Sequence, residues 1–538
     1  MTVAEWLRRA AQRWPDAPAF VDSDRRFSYA KFNERANRHA NGLLALGLKR
    51  GDRVAVLVNN TIEPVEALAA CAKTGMVHVP INFRLSPREV TTTLEHSGSR
   101  LLFVDAEYAK SVPPRTAGSK LEHVIVIRPG DVDSPYERWL AEQSAAEPTI
   151  DVTGDDDFII CYTSGATGTS KGVLHQQKQS VAHAPVVNMY YEIDGTSKLL
   201  LVYPHNSIAS INMFYVPAWL VGASVVLTDQ RHFNADRWLE LVEREKVTHC
   251  HLVPTMLFRV LESARLPSTD VSSLRTIGYG SAPMPTERVE RLMEVFGNIL
   301  IQGYGMTEVS SIAAILDKKD HLDAIRHHRE RLNACGRAAF GCELRVVDDD
   351  GHDVPTGETG EIVFRGPQLM SGYWRDPEKT AETIKGGWLH SGDMARLDAE
   401  GYLYIVDRKK DLIISGGANI SSREVEEVLY WHPSVREAAV VGRPDDLKGE
   451  GIVCFVTLKQ GIAPVDELKV ELKAHVTKEI GALARPDEIR FTDALPKTRS
   501  GKIMRRLLRD IASGRTGAQD TTTLEDFSIL AKLRDQDE

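Results

Sequence analysis

The sequence of 538 residues is poor in cysteine. Its six cysteines lie at scattered positions, and no two of them have Cys-x-x-Cys spacing. In so long a chain, this pattern is typical of reduced thiols that pack in cores, and it argues against a disulfide framework or a zinc site. We therefore expect a cytoplasmic protein.

Long apolar runs and an excess of positive charge are also lacking. The longest apolar stretch, residues 214–227, is shorter than the roughly 20 residues of a membrane-spanning helix and contains Pro217 and Gly222. The 66 Lys and Arg residues are outnumbered by 75 Asp and Glu residues, for a net charge of -9. These features predict neither a membrane span nor nucleic-acid binding, and they favour small-molecule ligands.

Apolar strand-like segments alternate with helical segments over the first 300 residues, without internal repeats. This alternation predicts a large N-terminal α/β domain built on a doubly wound parallel sheet. Shorter strands and turns after residue 344 predict an antiparallel β subdomain. Beyond a charged stretch near residue 408 we expect a small α+β domain, with strands at 412–415, 435–442, 451–458 and 488–491 and helices at 422–429, 465–480 and 502–511. The predicted domains are residues 1–408 and 409–538.

Residues 162–172, Tyr-Thr-Ser-Gly-Ala-Thr-Gly-Thr-Ser-Lys-Gly, follow a predicted buried strand. Glycines let backbone N–H groups approach an anion, and hydroxyls and a lysine add donors and charge. The predicted phosphate contacts are Thr163, Ser164, Gly165, Thr167, Gly168, Thr169 and Lys171. The loop is not a Walker A motif, because Lys171 lies three residues after Gly168. Composition alone also fits a flexible Ser/Gly linker.

Three other short motifs fit nucleotide chemistry. Residues 303–308, Gly-Tyr-Gly-Met-Thr-Glu, follow an apolar strand, and the ends of such strands bind ligands in α/β sheets. Residues 390–393 place Asp393 in a tight turn suited to ribose hydroxyls. Residues 496–502 present Lys502 from a polar loop. Each motif alone is weak evidence for nucleotide binding, since such residues also cap helices or line solvated turns.

Together, the four motifs resemble those of the AMP-forming adenylating enzymes: acyl-CoA and aryl-CoA synthetases, amino-acid-activating domains and luciferases. The chain departs from the usual glycine-rich loop at Ala166 and Ser170. The resemblance implies that an acid and ATP form an acyl adenylate and pyrophosphate, and that coenzyme A then takes the acyl group. It also implies a Mg2+ requirement and a C-terminal domain that turns between the two half-reactions.

The resemblance assigns roles to individual residues. Catalytic roles fall on Lys171, Thr307, Glu308 and Lys502: the first holds phosphates, Thr307 contacts the α-phosphate, Glu308 binds Mg2+, and Lys502 bridges the attacking carboxylate and the phosphate. The other expected nucleotide contacts are Gly280, Ser281, Ala282, Pro283, Tyr304 and Gly305 around adenine, and Asp393 and Arg408 at the ribose. Lys410 matches the hinge, and Gly416 and Gly417 match the channel for the pantetheine arm.

The acid pocket is expected beyond the strand at 198–203. Its predicted members are His205, Asn206, Ser210, Tyr279, Gly303 and Gly305. The His205-Asn206 pair looks like that of enzymes that activate hydroxylated benzoic acids, although Asn206 could instead cap the next turn. An aryl acid such as salicylate is the first choice.

The sequence also allows alternative substrates, acceptors and functions. A medium-chain fatty acid is the nearest alternative substrate, and a carrier protein is the alternative acceptor. A pseudoenzyme ranks last, because Glu308, Asp393 and Lys502 are all present. The sequence leaves open whether the chain forms a homodimer.

Overall fold

The computed structural model of the protein describes residues 1–112, 120–163, 171–228, 233–415, 418–445, 447–497 and 503–514. The chain divides into two compact units. The first comprises Met1–Arg345, Val363–His390 and Glu400–Leu403, and the second comprises Val346–Ile362, Ser391–Ala399 and Tyr404–Glu538. The simpler domain division after residue 408 stays a prediction.

The described strands and helices are numbered here in chain order. The strands are β1 Pro18–Asp22, β2 Arg25–Ser28, β3 Arg53–Leu57, β4 Val77–Pro80, β5 Leu101–Asp105, β6 His123–Ile127, β7 Asp157–Thr163, β8 Lys171–Gln176, β9 Lys198–Leu201, β10 Ser224–Leu227, β11 His249–Leu252, β12 Thr276–Gly280, β13 Leu300–Tyr304, β14 Ala314–Leu316, β15 Arg337–Ala338, β16 Glu343–Val347, β17 Gly360–Arg365, β18 Gly372–Tyr373, β19 Ile384–Lys385, β20 Trp388–Leu397, β21 Leu403–Arg408, β22 Ile413–Ser415, β23 Ala418–Ile420, β24 Val435–Asp445, β25 Gly449–Leu458 and β26 Glu488–Phe491. The helices are α1 Val3–Arg13, α2 Tyr29–Ala45, α3 Ile62–Thr74, α4 Pro87–Ser97, α5 Pro135–Ala141, α6 Gln177–Tyr191, α7 Ile208–Ser210, α8 Val216–Val221, α9 Ala235–Glu245, α10 Pro254–Leu261, α11 Thr286–Phe296, α12 Lys318–His327, α13 Pro377–Thr383, α14 Ser422–Trp431, α15 Asp466–Ile480 and α16 Arg505–Ala512.

Two sheets organise the first unit. The nine-stranded sheet has the order β15-β14-β13-β12-β11-β9-β10-β1-β2, in which β13 to β1 run parallel. The seven-stranded sheet has the order β18-β8-β7-β4-β3-β5-β6. Its strands β7, β4, β3, β5 and β6 are parallel, and at one edge β8 pairs antiparallel with β7 and β18 pairs antiparallel with β8. The predicted α/β fold is confirmed.

The nine-stranded sheet is buried on both faces. Successive strand residues point to opposite faces, so Leu199 and Leu201 pack in one core cluster while Leu200 and Val202 pack in the other. This two-sided burial explains why its strands read as continuous apolar runs in the sequence.

Local sequence signals explain where several helices begin. Ser86 caps α4 with a full capping box to Glu89, and Pro87 occupies its first turn; serine three residues before glutamate, with proline at the first helical position, is a common helix-start pattern. No helix of the described residues is long and apolar enough to cross a membrane.

A further sheet has the order β16-β17-β20-β19, with β21 paired to β20. In the second unit, β23, β22, β25 and β24 form a sheet to which β26 adds in parallel. The strands and helices predicted for this domain lie within three residues of their predicted positions, and β23 is a further strand that was not predicted. The last helix begins at Arg505 instead of 502, because Ile503 forms a β-bridge with Lys497.

Candidate active site

The glycine-rich segment joins two antiparallel strands. Thr163 ends β7 and lies opposite Lys171, the first residue of β8. The loop therefore closes a hairpin, whereas a Walker A loop leads into a helix. The predicted phosphate contacts Ser164, Gly165, Thr167, Gly168 and Thr169 lie outside the described residues. Thr163 and Lys171 stand at the two ends of that loop.

The carboxyl end of β13 carries the second predicted nucleotide motif. Tyr304 ends the strand, and Thr307 and the buried Glu308 lie in a short 3-10 turn that follows. Gly305 packs tightly here, since a Cβ at this position would lie 2.1 Å from the carbonyl oxygen of Ser311. Backbone packing alone therefore requires glycine at 305.

A buried histidine holds the Thr307 backbone in place. The Nε2 of His175, from β8, lies 2.8 Å from the carbonyl oxygen of Thr307. Burial lowers the pKa of His175 to about 4, so the ring is neutral and its single N–H donates to that carbonyl. This bond ties β8, which begins with Lys171, to the Thr307-Glu308 turn.

Glu308 also contacts an aromatic side chain that the sequence analysis did not select. The hydroxyl of Tyr373, in β18, donates to Glu308 Oε1 over 3.0 Å. The ammonium of Lys171 lies 5.1 Å from the centroid of the same ring. The structure thus brings together Lys171 and Glu308, which are 137 positions apart in the sequence, on either side of one tyrosine.

The predicted adenine segment follows the carboxyl end of β12. Gly280 ends that strand, and a Cβ there would lie 2.2 Å from the carbonyl oxygen of Gly303 on β13. Ser281 adopts a positive φ of 66°, and residues 281–283 are exposed. The chain turns sharply at this point and leaves Ser281, Ala282 and Pro283 open to a ligand.

Hydrogen bonds to Asn60 connect the predicted acid-binding loop, which follows β9 of the nine-stranded sheet, to the end of β3 in the seven-stranded sheet. Asn60, just beyond β3, accepts from the backbone N–H of His205 over 2.7 Å and donates to the Tyr203 carbonyl over 2.6 Å. The carboxyl ends of β3 and β9 are therefore joined through one buried amide. His205 is 2% exposed, and burial lowers its pKa to about 4.

Asn206 does not cap the following helix. The N-cap is Ser207, whose side chain accepts from the backbone N–H of Ala209, so the capping alternative for Asn206 is wrong. Ser210 is buried and donates to the Pro204 carbonyl over 2.9 Å. A π-helical turn, Ile211–Tyr215, continues from this segment, and such turns are often found at functional sites.

Several buried polar atoms of this region have no hydrogen-bond partner among the described residues, among them His205 Nε2, Asn206 Oδ1 and the Tyr191 hydroxyl. Tyr191 ends α6 and lies against the nine-stranded sheet. A Cβ at Gly278 would lie 3.0 Å from its hydroxyl oxygen, and one at Gly303 would lie 3.4 Å from it. Leaving such atoms unpaired costs about 1–3 kcal/mol each, which a ligand with matching groups would relieve.

Tyr279 occupies the opposite face of the same sheet. Its hydroxyl lies 2.9 Å from His321 Nε2 and 3.3 Å from Gln302 Oε1, and its ring packs in the core cluster that contains Leu200 and Val202. Only its backbone could therefore border an acid site on the Tyr191 face.

The second unit carries the predicted ribose contacts. Arg408 Nε lies 2.6 Å from Asp393 Oδ1, and Asp393 is buried while Arg408 is exposed. At the predicted hinge, Arg509 donates to the Lys410 carbonyl over 3.3 Å and pairs with Asp411 over 3.1 Å. Gly416, Gly417 and Lys502 lie outside the described residues.

Four residues that contact or border the candidate site were not predicted from the sequence: Asn60, His175, Tyr191 and Tyr373. Each acts through a contact between residues distant in the sequence, such as the 65 positions between Glu308 and Tyr373. His175 had a local signal, because it lies four residues beyond Lys171 in an apolar strand. The others have no local pattern that distinguishes them from core residues.

Comparisons with known proteins show the family to which the chain belongs. The profile of the AMP-binding enzyme family matches residues 7–374, and that of the AMP-binding enzyme C-terminal domain matches residues 424–502. A feruloyl-CoA synthase of Amycolatopsis sp is 36% identical, over 94% of this chain and 97% of its own length. A long-chain-fatty-acid–CoA ligase of Mycobacterium tuberculosis is 33% identical, over 94% of this chain and 97% of its own length.

One solved structure carries an aryl adenylate. The anthranilate CoA ligase AuaEII in complex with anthranoyl-AMP superposes with a TM-score of 0.85 at 29% identity, covering 95% of this chain and 97% of that one. The predicted superfamily is confirmed. The chain belongs to the AMP-binding enzyme family and is an AMP-forming acid–CoA ligase.

Proposed function

We propose that the protein activates an aryl carboxylic acid bearing a hydroxyl or amino substituent, and transfers it to coenzyme A. The observation that carries this choice is the set of unpartnered buried atoms His205 Nε2, Asn206 Oδ1 and the Tyr191 hydroxyl. An unsubstituted aliphatic chain has no group beyond its carboxylate to pair with them. A ring hydroxyl or amine supplies the missing donor.

His205 contributes hydrogen bonding and no charge. Its ring bonds the Val58 backbone, and its Nε2 has no partner among the described residues. A neutral imidazole has one N–H, which Nδ1 therefore gives to the Val58 carbonyl. Nε2 is left as an acceptor, as is Asn206 Oδ1. Two acceptors match a donor substituent on the substrate and disfavour a second carboxylate.

In the first half-reaction, a carboxylate oxygen of the acid attacks the α-phosphorus of ATP, the bond to the β-phosphate breaks, and pyrophosphate leaves. Negative charge grows on phosphate oxygens, so fixed cations and oriented donors lower the barrier. We assign Lys171, Thr163 and the loop between them to the pyrophosphate, and Thr307 to the α-phosphate.

We assign the remaining contacts as the resemblance implies. Adenine lies by Tyr304, Gly305 and the Gly280–Pro283 segment, the ribose by Asp393 and Arg408, and the attacking carboxylate by Lys502. In the second half-reaction, the thiol sulfur of coenzyme A attacks the acyl carbon and AMP leaves. Gly416 and Gly417 would border the pantetheine channel.

Glu308 is the proposed Mg2+ ligand. Tyr373 occupies its Oε1, and no hydrogen bond to Oε2 occurs among the described residues. Mg2+ is commonly held by one or two carboxylates together with substrate phosphates, and a single buried carboxylate beside a phosphate loop fits that pattern. When bound, the ion would neutralise charge on the phosphate oxygens.

An acid panel tests the proposed function. Pyrophosphate release is measured with salicylate, anthranilate, benzoate and octanoate, each with coenzyme A and with a carrier protein as acceptor. We expect the highest kcat/KM for a hydroxyl- or amino-substituted benzoate with coenzyme A. Turnover of octanoate without turnover of any benzoate would overturn the aryl assignment, and product only with the carrier protein would overturn the acceptor.

Asn206→Leu should change substrate preference. Loss of one buried hydrogen bond to the ring substituent costs about 1–3 kcal/mol, so we expect kcat/KM for the preferred substituted benzoate to fall about 10- to 100-fold while that for benzoate changes little. Ser207→Ala, which removes the neighbouring N-cap, should affect both acids equally. An equal loss on both acids with Asn206→Leu would contradict its role.

Lys410→Pro should separate the two half-reactions. Proline fixes φ and restricts the preceding residue, so it would hinder a turn of the chain at this position. We expect adenylate formation within about twofold of wild type and thioester formation at least about tenfold slower. Lys410→Ala, which leaves the backbone free, should spare both steps. Unchanged thioester formation in Lys410→Pro would place the pivot elsewhere.

A further inference from the structure

Tyr373 connects two residues of the proposed phosphate-binding machinery. Its hydroxyl donates to Glu308 Oε1 over 3.0 Å, and Lys171 Nζ lies 5.1 Å from its ring centroid. An ionised carboxylate can only accept hydrogen bonds, so the phenol O–H is the donor in this contact.

The backbone around Tyr373 fixes the side chain in place. Gly372 and Tyr373 form β18, which pairs antiparallel with β8 just beyond Lys171. The Trp374 N–H donates to the Gly172 carbonyl over 2.7 Å, and the Met370 N–H donates to the Glu308 carbonyl over 2.8 Å. The segment 370–374 thus bonds to the backbone beside both Lys171 and Glu308.

The two contacts have different chemical effects. A hydrogen bond to Oε1 restricts rotation of the Glu308 carboxylate and leaves Oε2 available to a cation. The aromatic face attracts the Lys171 ammonium by a cation–π interaction, which limits the directions in which a flexible lysine can point.

We propose that Tyr373 is a positioning residue that orients Glu308 toward the divalent cation and Lys171 toward the phosphates of ATP. The proposal rests on the roles assigned above to Glu308 and Lys171. It predicts that loss of the hydroxyl and loss of the ring have separable consequences.

The test measures binding as well as turnover. Mn2+ binding in the presence of α,β-methylene-ATP is followed by electron paramagnetic resonance, and nucleotide binding without divalent cation is followed by calorimetry. We expect Tyr373→Phe to weaken Mn2+ binding about five- to tenfold and to raise the Mg2+ concentration needed for half-maximal adenylation by a similar factor. The KM for the acid and metal-free nucleotide binding should stay within about twofold. Tyr373→Leu should also weaken metal-free nucleotide binding.

Tyr402 provides a matched control in the same unit. Its hydroxyl donates to Asp320 Oδ1 over 2.7 Å, and the guanidinium groups of Arg331 and Arg337 lie 4.6 Å and 4.8 Å from its ring centroid. Tyr402→Phe therefore removes the same kind of bond far from the phosphate loop in sequence. It should leave Mn2+ binding unchanged.

Glu308→Gln tests the proposed metal ligand separately from the proposed role of Tyr373. If Glu308→Gln leaves Mn2+ binding intact, the proposed metal ligand is wrong. If Glu308→Gln weakens Mn2+ binding but Tyr373→Phe matches Tyr402→Phe, the role of Tyr373 alone is wrong. A Tyr373→Phe effect that appears equally in the KM for the acid would indicate a general structural disturbance and would also overturn the positioning role.

Discussion

Lys502→Ala should reduce acyl-adenylate formation by about two to three orders of magnitude, the loss expected when one fixed charge at a developing oxyanion is removed. The role follows from the resemblance, since Lys502 lies outside the described residues. The thiol step involves no attack on phosphorus, so we expect thioester formation from a supplied acyl adenylate to stay within about threefold. Single-turnover assays of each half-reaction measure the two effects separately.

Lys497 serves as the control for that substitution. It lies in the same polar loop but forms an ion pair with Glu437 in the second unit. Lys497→Ala removes a positive charge nearby in the sequence and should change adenylation by less than about threefold. Equal losses in both half-reactions for Lys502→Ala, or equal losses for the two variants, would contradict a specific role for Lys502 in adenylation.

The sequence predicted the elements that depend on local signals. The strands predicted at 198–203, 412–415, 435–442, 451–458 and 488–491 correspond to β9, β22, β24, β25 and β26, each within a few residues of its predicted position. The start of α4 follows from Ser86, Pro87 and Glu89, whose capping interactions form within one turn. Such features need no knowledge of distant residues.

Local sequence patterns did not predict the contacts between segments that are distant in the chain. The hairpin of β7 and β8 and its pairing with β18 join residues from about 160 and 370. The sheet face of Tyr279 depends on the register of β12 with its neighbours, and a shift by one residue would reverse it. Neither fact is encoded in a short motif.

Some residues of the candidate site lie in recognisable sequence motifs, and others are identified only by their contacts in the structure. Glu308, Lys171 and His205 were selected from the sequence because motifs surround them. Tyr373, His175 and Asn60 contact Glu308, the Thr307 carbonyl and the His205 backbone from distant segments of the chain. A positioning residue is defined by the atom it contacts, such as the Thr307 carbonyl for His175. Its sequence neighbours carry no information about that atom.

Acidification below about pH 6 should unfold the protein. Several histidines of the first unit are buried, and burial lowers their pKa values to about 3 for some and about 4 for others. They are His39, His183 and His251 at about 3, and His175, His205, His249 and His321 at about 4. In the unfolded chain each returns to a pKa of about 6.5.

The sign of the effect follows from proton uptake. Between about pH 6.5 and the folded pKa values, the unfolded state binds more protons, so the free energy of unfolding falls as the pH falls. At pH 5.5 each such histidine lowers it by about 1.4 kcal/mol, or about 10 kcal/mol for the seven named. Asp22 and Glu66, whose pKa values burial raises, act in the opposite direction and offset part of the loss.

A total of this size is comparable with the whole stability of a typical domain, about 5–15 kcal/mol. We therefore expect urea denaturation between pH 5 and pH 7.5 to show stability constant above about pH 7 and falling steeply below pH 6. His183→Leu removes one buried imidazole whose Nε2 has no partner among the described residues, and should reduce proton uptake on unfolding at pH 5.5 by about one. His352→Gln, at a side chain that is 79% exposed, should leave the slope unchanged. A pH-independent free energy of unfolding from pH 7 to pH 5 would mean that these histidines are not held neutral by burial.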